Sequence, residues 1–211
     1  MKTKNLFVII IFSFTALVKQ TYASSGSISM RPVAGEKCFD ENTRLINVGI
    51  GLGRHYYVPL STYSSFTSPS FCISYEQPWP KRIGPGYLGV GGYAGYQNAH
   101  YKSLSSGYYY EHNWNYIMLT GRAAYHWDVL NSEKAEVYAG SLVGIRAQLY
   151  NYQTNDLTPN GNIYKYSRGG GAFPVFTMFA GARWYFAKNI AVYGEAGSGI
   201  SYITGGITFR L

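Results

Sequence analysis

The chain has 211 residues, of which 18% are aromatic and 13% charged, and its formal net charge is +8 at pH 7. Charged residues make up about a quarter of an ordinary soluble domain, so this composition disfavours one. The basic residues are scattered rather than gathered in a stripe, which excludes a nucleic-acid-binding protein. The 22 tyrosines and 25 glycines fit strands that face lipid on one side and carry tyrosines at the water boundary.

The N-terminus predicts an export signal. Lys2 and Lys4 precede an apolar run over residues 6–18, and small residues follow as far as Ala23. This order is typical of a secretory signal peptide over residues 1–23. The alternative, a membrane-anchoring helix, needs about 20 apolar residues, and the run is shorter. Cleavage after Ala23 leaves 15 of the 18 basic residues against 10 acidic ones, a net charge of +5.

The rest of the chain divides into a polar periplasmic lead-in, residues 24–43, and a barrel, residues 44–211. No later segment is apolar enough for a transmembrane helix, and a closed barrel is the other structure that spans a bilayer. Alternation of apolar and polar residues predicts eight strands of about 10 to 16 residues. They cover residues 44–53, 68–77, 86–97, 112–127, 135–150, 173–186, 189–198 and 201–211. We therefore predict an all-β, eight-stranded, antiparallel, up-and-down transmembrane β-barrel.

The charges of these strands fall in one phase. Apart from Arg44 at a strand end, every charge lies in the phase opposite to the apolar residues. A charge facing lipid at the midplane costs about 2–4 kcal/mol, so the charges are predicted to point inward. The alternative, a soluble sandwich, would place its apolar face inward, but the export signal and the few charges favour the barrel.

The inward charges are predicted to form an ion-pair network, because an eight-stranded barrel is filled by its own side chains. Its members are Glu76, Arg122, Arg146, Arg183, Glu195 and Arg210. Four arginines against two glutamates leave positive charge that Glu136, tyrosine hydroxyls, water or an anion would balance.

The connections between strands alternate in length. Long ones cover residues 54–67, 98–111 and 151–172, and short ones cover 78–85, 128–134 and 187–188. Long loops outside and short turns in the periplasm are typical of outer-membrane barrels, which places both termini in the periplasm.

Aromatic residues in and beside the long connections provide a candidate surface for a sugar or a protein partner. They are Tyr56, Tyr57, Tyr108, Tyr109, Tyr110, Trp114, Tyr152, Tyr164 and Tyr166. The alternative is an aromatic belt at the membrane boundary, where Tyr and Trp are favoured.

Cys38 and Cys72 form a candidate disulfide, since export leads to an oxidising compartment. A bridge would require the lead-in to fold back into the barrel. His55, His100 and His112 lack Cys, Asp or His neighbours at metal-ligand spacing, so neither a metal nor a cofactor is expected. His126-Trp-Asp128 resembles the His-x-Ser of barrel lipid A deacylases with Asp in place of the nucleophile, so no catalytic residue is predicted.

The C-terminal hairpin carries a resemblance to a known family. Residues 181–197, GARWYFAKNIAVYGEAG, and 206–211, GITFRL, are similar to the end of the small outer-membrane β-barrel domain family, the porin-like OmpX/OmpA type. The resemblance implies an eight-stranded barrel in the outer membrane of a Gram-negative bacterium, in contact with lipopolysaccharide and the barrel assembly machinery. It implies no common enzymatic activity. The chain departs from the pattern by ending in Leu211 rather than an aromatic residue.

The sequence thus predicts a non-enzymatic outer-membrane protein with a structural role in the cell envelope or with loops that bind a surface partner. Two alternatives stay open. One is a lipid-modifying outer-membrane enzyme similar to lipid A deacylases, and the other is a narrow channel, although barrels with open aqueous channels have many more strands.

Overall fold

The structure, a computed structural model, describes residues 38–53, 64–127, 130, 132, 134–157, 163–168 and 170–211. The predicted signal peptide, Tyr56 and Tyr57 lie outside the described residues, as do the side chains of Tyr164 and Tyr166. In the described ranges no helix is long and apolar enough to cross a membrane. The strands are β1 (Leu45–Leu52), β2 (Ser64–Thr67), β3 (Ser70–Pro78), β4 (Gly86–Ser105), β5 (Tyr108–Trp127), β6 (Ala135–Leu157), β7 (Ile163–Arg168), β8 (Ala172–Ala187), β9 (Ile190–Gly197) and β10 (Ile203–Arg210).

The strands pair antiparallel around a closed ring. β1 pairs with β3 on one side and with β10 on the other, and the ladder runs on through β4, β5, β6, β8 and β9. β2 pairs with β4 just beyond β3, and β7 pairs with β6 just beyond β8, so each extends a barrel strand. The prediction of an eight-stranded antiparallel up-and-down barrel is confirmed.

Side chains alternate between a buried inner face and an exposed outer face. In β1, Leu45 and Asn47 are buried, whereas Val48 and Ile50 point outward. Large apolar side chains dominate the outer face of the barrel: Phe71, Ile73, Leu119, Val143, Ile145, Phe176, Met178, Trp184, Ile203 and Ile207. Glu76, Arg122 and Arg183 are buried inside. A soluble sandwich would reverse this arrangement, with its apolar face inward and its charges in water.

The predicted loop over residues 98–111 is corrected by the structure. β4 and β5 stay paired up to Ser105 opposite Tyr108 and turn only at Ser106 and Gly107. Both turn residues have positive φ, 51° and 84°, as a two-residue hairpin turn with the right twist requires. The apolar alternation that marked the strands stops well before the strands themselves do.

The predicted loop over residues 151–172 is corrected in the same way. It contains the end of β6 and the whole of β7, which pair from Tyr150 opposite Arg168 upward. The upper parts of β4, β5 and β6, with β2 and β7, therefore form one continuous five-stranded sheet, which we call the wall. In the described part of the chain β1, β9 and β10 carry no such extension: at this end of the barrel they stop at Leu52, Gly197 and Ile203.

Both ends of the barrel interior are filled by described side chains. We call the end that carries the C-terminus the terminal end, and the opposite one, which carries the wall, the loop end. At the loop end the turn between β9 and β10 inserts Ile200, which is 1% exposed, into a cluster with Tyr93, Met118 and Leu142. At the terminal end Phe39 stacks on the His126 ring. This filling matches the narrow interior expected of eight strands.

The two cysteines are not bonded to each other. Cys72 lies in the middle of β3, with its Sγ 3.9 Å from the Tyr193 hydroxyl. Cys38 lies at the terminal end, where its thiol donates to the Ser132 carbonyl oxygen at 3.1 Å. The candidate disulfide is therefore absent from the structure, because the two thiols occupy different levels of the barrel.

Candidate binding surface and barrel interior

A network of buried charges fills the lower part of the barrel. Arg122 on β5 donates from Nε to Glu76 Oε1 of β3 at 2.8 Å and from Nη2 to Glu195 Oε1 of β9 at 2.5 Å. Arg183 on β8 pairs with Glu136 of β6 and donates from Nε to the Thr208 hydroxyl at 3.0 Å. Alternation places all these side chains on the inner face, and closure of the ring brings the strands that carry them together.

His126 joins the two halves of this network. Its Nε2 lies 3.0 Å from Glu76 Oε2, and its Nδ1 lies 3.4 Å from Glu136 Oε2. Three carboxylates thus meet two guanidinium groups and one imidazole, so the network is electrically balanced when His126 carries a proton. Buried charges persist only when they are paired and hydrogen-bonded in this way.

The structure brings together four of the six charges predicted for this network: Glu76, Arg122, Arg183 and Glu195. Glu136, expected only as a balancing charge, is a full member. Arg210 instead lies over the Tyr185 ring at 4.2 Å and donates to a backbone carbonyl.

Arg146 lies apart from the network. Within the described ranges it has no carboxylate partner, and its Nε is buried without a hydrogen bond. The sequence predicted the inward phase of Arg146 but could not reveal its lack of a carboxylate partner in the described ranges, because pairing depends on the height of each residue in the closed ring.

The surroundings of His126 do not form a catalytic site in the described part of the chain. Both ring nitrogens face carboxylates, and neither faces a hydroxyl or a thiol. Asp128 lies outside the described residues. Across the described ranges, no group of three or more His, Cys, Asp or Glu side chains is placed to hold a metal ion.

The inner face of the wall carries a cluster of aromatic rings, which we call the aromatic cluster: Tyr101, His112, Trp114, Tyr150 and Tyr152. The His112 ring lies at its centre, 5.0 to 5.9 Å from the centroids of the other four. His112 Nδ1 and the Tyr150 hydroxyl are 2.7 Å apart. Strand register assembles the cluster, since His112 pairs with Tyr101 on one side and with Tyr152 on the other.

The outer face of the wall carries a polar patch on β4 and β5. Asn98 donates from Nδ2 to the side-chain oxygens of Asn113 and Asn115, and His100 contacts Glu111 at 2.9 Å. Below this level the same phase carries the large apolar side chains of the outer face, such as Ile73, Val143 and Phe176, which we call the apolar band. The character of the sheet therefore changes along its height: the barrel has charges inside and the apolar band outside, whereas the wall has aromatic rings inside and the polar patch outside.

The described aromatic residues of the predicted loop surface lie in different places. Trp114 and Tyr152 belong to the aromatic cluster. The Tyr110 hydroxyl donates to Asp156 at 3.2 Å, Tyr109 lies under the Lys102 ammonium on the outer face, and Tyr108 is exposed beside the hairpin turn. The sequence did not predict the central His112 as a member of this surface. Its spacing of two residues from Trp114 and Tyr110 places all three on one face of a strand and was the signal that could have identified it.

Acidification is expected to loosen the aromatic cluster through His112. Burial lowers the pKa of this imidazole below its ordinary value of 6.5, so the cluster favours the neutral ring. The resulting stabilisation is complete above the ordinary pKa and is lost as the pH falls below it, because only an exposed imidazole then takes up a proton readily. Tryptophan emission assigned with Trp114→Phe should shift below pH 6.5 in the wild type. An equal shift in His112→Gln would contradict this assignment.

No family model and no curated protein matches the chain. A solved structure of a de novo designed transmembrane β-barrel is 14% identical, with 82% of this chain and 98% of that chain covered and a TM-score of 0.35. Ail, the attachment invasion locus protein of Yersinia pestis, is 11% identical over 80% of this chain and 93% of its own, with a TM-score of 0.35. Its complex with the heparin analogue sucrose octasulfate gives 0.36 at the same identity and coverage. Similarity at this level leaves membership of the OmpX/OmpA-like family a prediction.

Proposed function

We propose that this chain is a non-enzymatic outer-membrane β-barrel of a Gram-negative bacterium that binds an extracellular saccharide on its aromatic cluster. Residues 1–23 direct export, the apolar band lies in lipid beside lipopolysaccharide, and the terminal end faces the periplasm. Insertion would follow the barrel assembly machinery route that the C-terminal hairpin implies.

The apolar band supports the membrane location. Outward side chains such as Ile73, Val143 and Phe176 are each more than half exposed, and an exposed apolar surface of this extent is not found on soluble monomers. The chain extends much further past the apolar band at the loop end, as the wall, than at the terminal end. This is the arrangement of outer-membrane barrels, whose longer connections face the outside.

The aromatic inner face of the wall is the observation that carries the binding role. β4 and β5 continue for eight residues past the band on each side of their hairpin, about 25 Å of strand, whereas β1, β9 and β10 stop near it. An interfacial belt would point its rings outward, toward the lipid headgroups. The rings of the aromatic cluster point the other way, over the barrel opening, so the cluster suits a ligand better than a belt.

Arg146 gives the site a charge preference. Arg146 lies four residues before Tyr150 on the inner face of β6, about 13 Å closer to the terminal end. Leu142, which packs with Ile200, is a further four residues in the same direction. A guanidinium without a carboxylate partner would pair with a carboxylate, sulfate or phosphate of a ligand. Ring faces above and a cation below favour a saccharide that carries an acidic group.

Replacement of Trp114 by alanine is expected to reduce saccharide affinity at least tenfold, because stacking surface at the cluster is lost. Binding of an acidic oligosaccharide and of its neutral counterpart would be measured by biolayer interferometry with the full chain in detergent. Trp127→Ala is the matched control, since Trp127 faces outward at the other end of β5. Unchanged binding after Trp114→Ala would refute the site, and Arg146→Gln should reduce only the preference for the acidic form.

A further inference from the structure

The segment that precedes β1 is built into the terminal end of the barrel. Residues 38–43 form a tight turn in which Asp40 accepts hydrogen bonds from the Asn42 amide at 2.9 Å and from the Thr43 hydroxyl at 2.8 Å. Cys38 and Phe39 are each only 5% exposed. A polar lead-in was expected over these residues, but the turn presents its two apolar side chains to the barrel interior.

Phe39 occupies a shaped position. Its ring stacks on the His126 ring at 3.8 Å with an interplanar angle of 3°. On another side it lies against Gly89 of β4, where an added Cβ would come within 3.2 Å of the Phe39 ring. A side chain at position 89 would crowd the His126 ring, Glu76 Oε2 and the Phe39 ring, so the glycine leaves room for all three.

Two hydrogen bonds hold Cys38 beside this position. Its thiol donates to the Ser132 carbonyl oxygen in the connection between β5 and β6. Its own carbonyl oxygen accepts from Arg210 Nη2 at 2.5 Å. Arg210 is in turn placed by the Tyr185 ring of β8.

The groups that receive residues 38–43 come from strands far apart in the chain. β4 and β5 supply Gly89 and His126, whereas Arg210 is the last residue of β10. β10 reaches β1 only when the ring closes, and the amide of Leu211 then donates to the Arg44 carbonyl oxygen at 2.9 Å. The full docking position therefore exists only in the closed barrel.

We infer that residues 38–43 are a latch, which docks into the terminal end once the ring has closed and holds the seam between β1 and β10. The latch joins the chain just before β1 to β10 and to β5, so opening the seam must also undock it. It also covers His126 and thereby shields the buried charges from water. This role is independent of any ligand at the wall.

The native cysteines allow a direct test in the full mature chain. In the Cys72→Ser background, Cys38 reports on the latch through its reaction with a polyethylene glycol maleimide, resolved as a gel shift of the folded protein. Phe39→Ala should speed this reaction at least tenfold and lower the temperature at which the folded band converts to the unfolded one. Phe66→Ala, an exposed ring on β2, is the control and should change neither.

A second variant keeps the inference testable if Phe39→Ala does not fold. Arg210→Gln removes the hydrogen bond to Cys38 and should also speed labelling, without altering the ring that stacks on His126. During refolding into detergent, Cys38 should become protected only after the heat-modifiable band has formed. Protection before that band, or wild-type labelling as fast as in the unfolded chain, would overturn the latch.

Discussion

Replacement of Arg122 by leucine is expected to lower the free energy of unfolding by about 3–5 kcal/mol, the cost of breaking a buried ion pair from one side. Arg122 bridges Glu76 and Glu195. Its removal leaves the Glu76 carboxylate, whose side chain has no exposed surface, with one less partner inside the barrel. The measurement is urea unfolding in phospholipid vesicles, followed by tryptophan fluorescence.

Arg146→Leu is the matched control for this prediction. It makes the same chemical change on the same inner face, but within the described ranges Arg146 has no carboxylate partner to leave behind. Its effect on the free energy of unfolding should stay within about 1 kcal/mol, since Arg146 is only half-buried and its removal breaks no ion pair among the described residues. Equal losses for the two variants would mean that inward arginines stabilise the barrel by packing rather than by pairing.

Replacement of Val143 by arginine is expected to cost about 2–4 kcal/mol in vesicles, because the charge would face hydrocarbon near the middle of the band. Val143 is 58% exposed on the outer face of β6, so the longer side chain meets no steric obstacle in the protein. The loss in the free energy of unfolding therefore reports whether the outer face of the barrel lies in lipid or in water. The same urea titration measures it.

Leu104→Arg provides the comparison for Val143→Arg. Leu104 is 52% exposed and also points outward, but it lies beside the hairpin turn at the top of the wall. In water an exposed substitution of this kind stays within about 0.5 kcal/mol. If Val143→Arg were equally harmless, the apolar outer face would lie in water and the membrane assignment would be wrong.

The barrel could be predicted because its physical constraint acts locally on every strand. In β1, β3 and β5 the requirement for apolar outward residues repeats every second position, so alternation alone identified these strands and the inward phase of Glu76 and Arg122. The same signal vanished above the band. There the outer phase of β4 and β5 becomes polar, with Asn98 and Asn113, and the strands continued where a loop was predicted.

The contacts inside the ring could not be derived from the pattern. Whether an inward arginine finds a carboxylate depends on stagger between strands, which separates Arg146 from the network but places Arg183 beside Glu136. The docking of Phe39 on His126 likewise joins a segment outside the periodic region to the far end of β5. Nothing in the sequence around Phe39 or His126 indicates that the two rings stack.

The two-residue turn at Ser106 and Gly107 makes the tall hairpin of β4 and β5 self-supporting. Every residue from Gly86 to Ser105 has a partner in β5, so the position of the aromatic cluster is set by strand register and not by the longer loops around it. Changes of sequence or length in those loops are therefore expected to leave the rings in place. The loops around the β4–β5 hairpin can thus vary while the aromatic cluster keeps its position.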